Sequence, residues 1–348
     1  MKNWVFTGVS GCGRSELVEE LSAEIRGRGK TVNTFDVGKY LYTAAKELKI
    51  DITDQKVLDL DQNMLFALRK LALNKILNQI NKEEADFNFI GIHVTFRWRQ
   101  RLIKGLTYRD LLDFDISGFI NVVDDVEKIV EVNSKNPKWS DVSYPDPDET
   151  NNWLMEEEFV TEILADVLNV PLYIAGRQHN IYNLADLFLT NKPKFYLSYP
   201  ITHIEKDQPE LLKQVRNDIL PKLEEQFIIF DPLVIKDMNL TYDAKTSFPN
   251  LLEELSENAI NSLKSRTIER DFQFIDQSDF IVVIYLTEKL SPGVLSEIIY
   301  ANNRNKPVYM VFPYTKSPFL ELYATNIFNS LEELLEFLHS EEFRREPL

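Results

Sequence analysis

Two three-layer α/β domains, each built on a largely parallel sheet, are predicted by three observations. Short apolar runs of strand length alternate with helical patterns along the chain, the signature of parallel sheets covered by helices. The 348 residues suffice for about two domains at roughly 100 to 200 residues each. A polar break, Thr190-Asn-Lys-Pro-Lys194, interrupts the alternation before a fresh strand begins. The expected domains are therefore residues 1–191 and 192–348.

In the first series, Asn3-Trp-Val-Phe-Thr7 reads as a strand and Gly8-Val-Ser-Gly-Cys-Gly-Arg-Ser15 as a glycine turn opening the helical pattern Glu16-Leu-Val-Glu-Glu-Leu21. Further strands are expected at Thr31–Phe35, Phe87–Ile92, Gly118–Val123 and Val170–Ala175. The Pro-, Asp- and Glu-rich stretch Asn136–Glu158 reads as a solvated loop. The second series places strands at Phe195–Ser198, Phe227–Phe230, Phe280–Tyr285 and Pro307–Phe312.

Composition narrows the partners. A net charge of -16 opposes binding to a nucleic-acid duplex or an anionic membrane. A single cysteine, Cys12, excludes a disulfide framework and points to a reducing compartment. Met1-Lys-Asn-Trp4 leads straight into a strand, and no apolar run approaches the roughly 20 residues of a membrane span, so the expected setting is the cytoplasm. His93, His179, His203 and His339 are scattered without ligand spacing, which with one cysteine argues against structural zinc.

The most informative stretch runs from Asp271 through the strand Phe280-Ile-Val-Val-Ile-Tyr285 to Ser291-Pro-Gly293 and Glu297. Helix end, buried strand and second helix in this order can bring Asp271 and Glu297 to the carboxyl edge of a parallel sheet, where open α/β folds bind ligands. Paired carboxylates, one a nucleophile, are a recurrent solution for breaking a bond at a sugar's anomeric carbon.

Residues 194 to 341 resemble the nucleoside 2-deoxyribosyltransferase and 5'-deoxynucleotide N-glycosidase superfamily. The resemblance is carried by Lys194-Phe-Tyr-Leu-Ser-Tyr-Pro-Ile201, Phe230-Asp-Pro232, Asp271 with Asp279, Glu297-Ile-Ile-Tyr-Ala301 and Lys306-Pro-Val308. It implies a Rossmann-like, flavodoxin-like sheet, with Glu297 as the ionised nucleophile, Asp271 as the acid with a raised pKa at the departing base, and Tyr196 orienting nucleophile or sugar. Ser291 stands where transferases of the family often carry aspartate. That departure resembles the nucleotide N-glycosidase branch and implies a 5'-phosphate, which a hydroxyl can donate to and a carboxylate would repel. Gly293, Thr202, His203 and Asp231 complete the implied substrate site. Asn326 matches an asparagine that relatives lend to a neighbouring subunit, implying at least a dimer. No cofactor is implied for the glycosidic step.

The first glycine turn fits a phosphate loop, G-x-x-x-x-G-K-[S/T], with Arg14 in place of lysine. Backbone amides of Gly8, Gly11, Cys12 and Gly13, with the following helix N-terminus, would cradle phosphate, and Ser15 would ligate Mg²⁺. Residues 3 to 188 resemble archaeal-type adenylate kinases and related P-loop nucleoside monophosphate kinases, through the turn, Phe35-Asp-Val-Gly-Lys-Tyr-Leu41, Phe89-Ile-Gly-Ile-His93 and Val170-Pro-Leu-Tyr-Ile-Ala175. This implies a P-loop kinase-like sheet binding ATP or another nucleotide. The departures weaken phosphoryl transfer. Gly91 replaces the strand-end aspartate, and Val126–Ser134 lacks lid arginines. Arg97, Arg99 and Arg101 are candidate phosphate ligands.

The expected function is cleavage or exchange of the N-glycosidic bond of a (deoxy)nucleoside 5'-phosphate, with a nucleotide-binding first domain of regulatory or substrate-delivering role. The alternatives are an active nucleoside monophosphate kinase, a non-catalytic nucleotide sensor and an NAD glycohydrolase.

Overall fold

The computed structural model describes residues 1–52, 56–99, 101–139, 145–201, 203, 207, 209–235 and 257–345. They form two α/β units, Met1–Ile181 with the described part of Ile235–Thr267, and Tyr182–Val234 with Ile268–Leu348.

The first unit starts with β1 (Lys2–Thr7), the glycine turn and α1 (Arg14–Gly27). Then come β2 (Val32–Asp36), α2 (Val37–Glu47), α3 (Gln62–Ile80) and β3 (Phe87–Gly91). Asp36 and Asp61 cap α2 and α3 by accepting backbone N–H groups of their first turns. After β3 the chain makes an antiparallel hairpin of β4 (Thr95–Trp98) and β5 (Arg101–Lys104). A helical turn α4 (Tyr108–Leu111), β6 (Ile116–Val123), α5 (Val126–Ser134), α6 (Pro147–Leu168) and β7 (Leu172–Gly176) complete it. Strand order is β2-β3-β1-β6-β7, every pair parallel. This order puts the turn after β1 at a topological switch point, the place where such sheets bind ligands.

One expectation fails. Most of the stretch read as loop to Glu158 is helix α6, beginning at Pro147. Asp146 accepts from Glu149 N at 2.7 Å, Pro147 opens the helix, and Asp148 and Glu149 occupy the positive N-terminal turn. The acidic, proline-containing run is thus a helix start, while residues 140–144 lie outside the described set.

The second unit contains α7 (Ile181–Leu189), β8 (Lys194–Ser198), α8 (Pro209–Gln214), α9 (Leu220–Glu224) and β9 (Ile228–Phe230). It continues with α10 (Glu257–Asp276, in this unit from Ile268), β10 (Phe280–Ile284), α11 (Pro292–Asn303), β11 (Val308–Val311), α12 (Pro318–Tyr323), β12 (Asn326–Phe328) and α13 (Leu331–His339). Asn183 ties α7 to the sheet, donating to Phe227 O and accepting from Ile229 N, each at 2.8 Å. The order β12-β11-β10-β8-β9 is all parallel and flavodoxin-like, with its switch point at the adjacent β8 and β10. Both faces of the sheet are buried; one carries a cluster that includes Phe195, Leu197, Phe280, Val282 and Tyr309, against which Phe337 of α13 packs.

Candidate functional site

Alternation along β8 decides what faces the second unit's site. Phe195 and Leu197 enter the core cluster, so Tyr196 and Ser198 project from the opposite face. Glu297 lies in the second turn of α11, and helical side chains lean toward the N-terminus. Its carboxyl group accordingly meets β8. Tyr196 OH donates to Oε1 at 3.0 Å, and Ser198 Oγ donates to Oε2 at 2.5 Å.

Asp271, on α10, is buried close enough for its charge to act on both partners. Burial, then Asp271, pushes the Glu297 carboxyl up to about 8, while the Ser198 and Tyr196 hydrogen bonds pull it down. The Tyr196 phenol is driven well above its ordinary value by burial and then by Asp271 and Glu297. Arg270, only 1% exposed, sets Nη2 3.5 Å from Asp271 Oδ1. Glu297 is thus an acid displaced upward by burial first and by the Asp271 charge second, with the Arg270 guanidinium beside Asp271.

The other expected residues are distributed more widely. Ser291 is the N-cap of α11, and its hydroxyl makes no capping hydrogen bond. Its backbone N–H donates to Tyr285 OH at 2.8 Å, and that hydroxyl donates to Lys289 O at 3.1 Å, bracing the turn. Gly293 faces open space, with nothing within 4 Å of an added Cβ. His203 Nε2 lies 3.3 Å from Leu290 O, on the same turn. Thr202 lies outside the described residues. Asp231 does not join the Glu297 hydrogen bonds. It accepts from Tyr199 OH (2.8 Å) and Leu233 N (2.9 Å), so it organises the turn after β9. Asn326 begins the edge strand β12, opposite Tyr309 and three strands from β8.

In the first unit, the loop's three positive-φ positions, Gly8, Gly11 and Gly13, call for glycine. Gly8 has φ +142°, and an added Cβ would fall 2.6 Å from Val122 O; at Gly13, φ +74°, it would fall 2.7 Å from Arg177 Cδ. The Gly8 N–H donates to Glu157 Oε1 at 3.1 Å. That buried carboxyl group also accepts from Val94 N, Thr95 N and Thr95 Oγ1, which pins the loop to the start of β4. Asn133 of α5 donates to Ser10 O at 2.9 Å. The Cys12 N–H, expected to cradle phosphate, donates to Val9 O at 3.3 Å, and burial pushes the thiol up to about 12.

Gly11, Gly13, Arg14 and Ser15 line a chamber of about 780 Å³, faced by Trp98 and Trp139, whose ring centroids are 5.0 Å apart. The Arg14 guanidinium turns inward to Gly8 O (3.3 Å) and His93 Nε2 (3.4 Å). Its buried Nε lacks a hydrogen-bond partner and lies 3.6 Å from where a Gly91 Cβ would stand. Arg14 thus keeps an orphan donor at the Gly91 end of β3. Arg97 and Arg99 are not free for phosphate, being bidentate to Glu156 and Asp59; Arg101 is exposed. For Mg²⁺, which takes oxygen ligands and keeps several waters, the exposed Ser15 hydroxyl and the Asp124 carboxylate, the latter ion-paired with Lys128 at 3.4 Å, both line the chamber and are oxygen donors of the required kind. No group of three or more metal-binding His, Cys, Asp or Glu side chains exists among the described residues.

Neither a family model nor a curated protein matches the chain. Solved structures share parts of it. A sugar kinase from Janibacter sp. HTCC2649 is 14% identical with a TM-score of 0.32, over 54% of this chain and 94% of that one. A GTPase from Pyrococcus abyssi is 10% identical with a TM-score of 0.32, over 82% and 90%. A plasmid partition protein from Borrelia burgdorferi B31 bound to AMPPNP is 12% identical with a TM-score of 0.25, over 77% and 98%. None of these three is a deoxyribosyltransferase, and at such TM-scores the functional reading rests on this chain's own residues. Among the described residues, no helix is long and apolar enough to cross a membrane.

Sequence reasoning missed Ser198, Tyr285, Asn133 and Glu157. Ser198 was legible, since a residue two places from Tyr196 on a strand shares its face. The others depend on contacts between distant segments.

Proposed function

We propose that this protein processes nucleotides, its second unit cleaving or exchanging the N-glycosidic bond of a (deoxy)nucleoside 5'-phosphate through Glu297. The observation that carries the reading is the Glu297 carboxyl group, held at both oxygens by Tyr196 and Ser198 with Asp271 acting on it at the switch point of the sheet. Two interacting acids titrate as a pair, and one negative charge with one proton is the stoichiometry the reaction uses. The ionised carboxylate attacks the anomeric carbon, the C–N bonding pair leaves with the base, and the proton goes to that base. Water or a second base then resolves the glycosyl ester. The uncapped Ser291 hydroxyl at the N-terminus of α11, with space over Gly293, supports a 5'-phosphate there. Asn326 completing a neighbouring subunit's site is part of the same proposal.

The first unit binds a nucleotide without transferring phosphate. Supporting this are the inward Arg14, Gly91 in place of an acid, and an α5 that presents Asn133 rather than arginine to the loop. Transfer depends on positioned positive charge. Mg²⁺ would supply charge neutralisation for bound phosphates, held by Ser15 and Asp124. The test is incubation with deoxynucleotides, ribonucleotides, nucleosides and NAD, with free base measured. Release that persists in folded Glu297→Ala, or no release from any of them, overturns the reading; ADP formation dependent on a monophosphate overturns the binding-only role of the first unit.

A further inference from the structure

We propose that Ser198 is a positioning residue for Glu297, the second of two anchors that hold its carboxylate in the plane from which one oxygen faces the sugar. The inference rests on the glycosidic reading and names a residue which that reading does not require.

The terminal torsion of a glutamate is broad and roughly two-fold, so a single hydrogen bond leaves the carboxyl plane free to swing. Tyr196 alone, on Oε1, would be such a single anchor. Ser198 adds Oε2 from the adjacent same-face position of β8, and two bonds from one rigid strand define the plane. Tyr196 is paired with both β9 and β10 and Ser198 with β10, so both anchors are fixed by the sheet rather than by a loop. Reactivity depends steeply on such orientation.

A hydroxyl also suits both states of the acid, accepting from the protonated carboxyl and donating to the ionised one. Ser198 is fully buried, which leaves no solvent at hand to replace its hydroxyl if it is removed. The charged and titratable groups facing Glu297 are Tyr196 from β8 and Asp271 from α10, with Arg270 beside Asp271. Of the two hydroxyls, Ser198 makes the larger contribution to keeping Glu297 acidic.

The test is carboxyl ¹³C NMR titration of the full-length protein labelled at glutamate, with the Glu297 resonance assigned by its loss in Glu297→Gln. In Ser198→Ala the Glu297 midpoint moves upward by about one to two pH units, the equivalent of one hydrogen bond to a charged group. Ser198→Cys, of similar size but a weak donor, gives a smaller upward movement and carries the measurement if the alanine variant does not fold. An unchanged midpoint in either folded variant overturns the proposal. With a nucleotide substrate, Ser198→Ala lowers kcat about tenfold or more near neutral pH with little change in KM; a loss confined to KM also overturns it. Full base release in Glu297→Gln would instead sink the glycosidic reading, leaving the titration result standing.

Discussion

Replacing Glu297 with glutamine should make the protein more stable, and increasingly so as pH rises. The carboxyl is displaced from its ordinary 4.5 to about 8 by burial and by Asp271. Between those values the folded chain keeps a proton that the unfolded chain releases, so stability falls as pH climbs through the window and levels off above it. At about 1.4 kcal/mol per pH unit, the full displacement corresponds to a loss on the order of 5 kcal/mol, an upper bound because local relaxation and water entry reduce it. Glutamine carries no charge at any pH, and the Tyr196 and Ser198 hydroxyls can reorient to an amide. Urea unfolding of wild type and Glu297→Gln at pH 5, 7 and 9 measures the difference. The curves should lie close together at pH 5 and separate by several kcal/mol at pH 9. Parallel stability profiles across this range would refute the enclosure of a displaced acid beside Asp271.

Asp271→Asn removes the negative charge that helps raise Glu297, so the pH at which wild-type stability levels off should move downward, opposite in sign to Ser198→Ala; the same urea series reads it. Glu157→Ala strips a buried carboxylate from Gly8 N, Val94 N, Thr95 N and Thr95 Oγ1. It leaves three buried backbone N–H groups and a hydroxyl without their acceptor and should cost several kcal/mol, at about 1 to 3 kcal/mol per unsatisfied group, seen as a lowered urea midpoint. Gly13→Ala should destabilise by about 1 to 3 kcal/mol through strain at positive φ and collision with Arg177. Gly293→Ala, in open space, should stay within about 0.5 kcal/mol; thermal melting compares the pair.

Much of the architecture was legible because burial leaves a pattern in the chain. Continuous apolar runs such as Val5-Phe6 and Phe280–Ile284 mark strands covered on both faces, and each observed strand of this kind lies within a residue or two of its expected position. The hairpin β4–β5 and the strand β12 were not seen. They are three or four residues long and only partly buried, so they lack a continuous apolar run. The start of α6 was hidden because proline and aspartate signal both turns and helix caps.

The site divides along the same line. The glycine loop is written in neighbouring residues, and the helix, strand and helix order allowed Asp271 and Glu297 to be paired, whereas Tyr196 entered only through the family resemblance. Protonation was a different matter. That the Glu297 carboxyl is displaced upward follows from its burial and from the charge of Asp271, which sits on a different helix. Likewise Arg97 and Arg99 read as free cations until folding set Glu156 and Asp59 against them. Solvation and charge pairing depend on groups that meet in space across many residues of chain, and no window of sequence contains both members of such a pair.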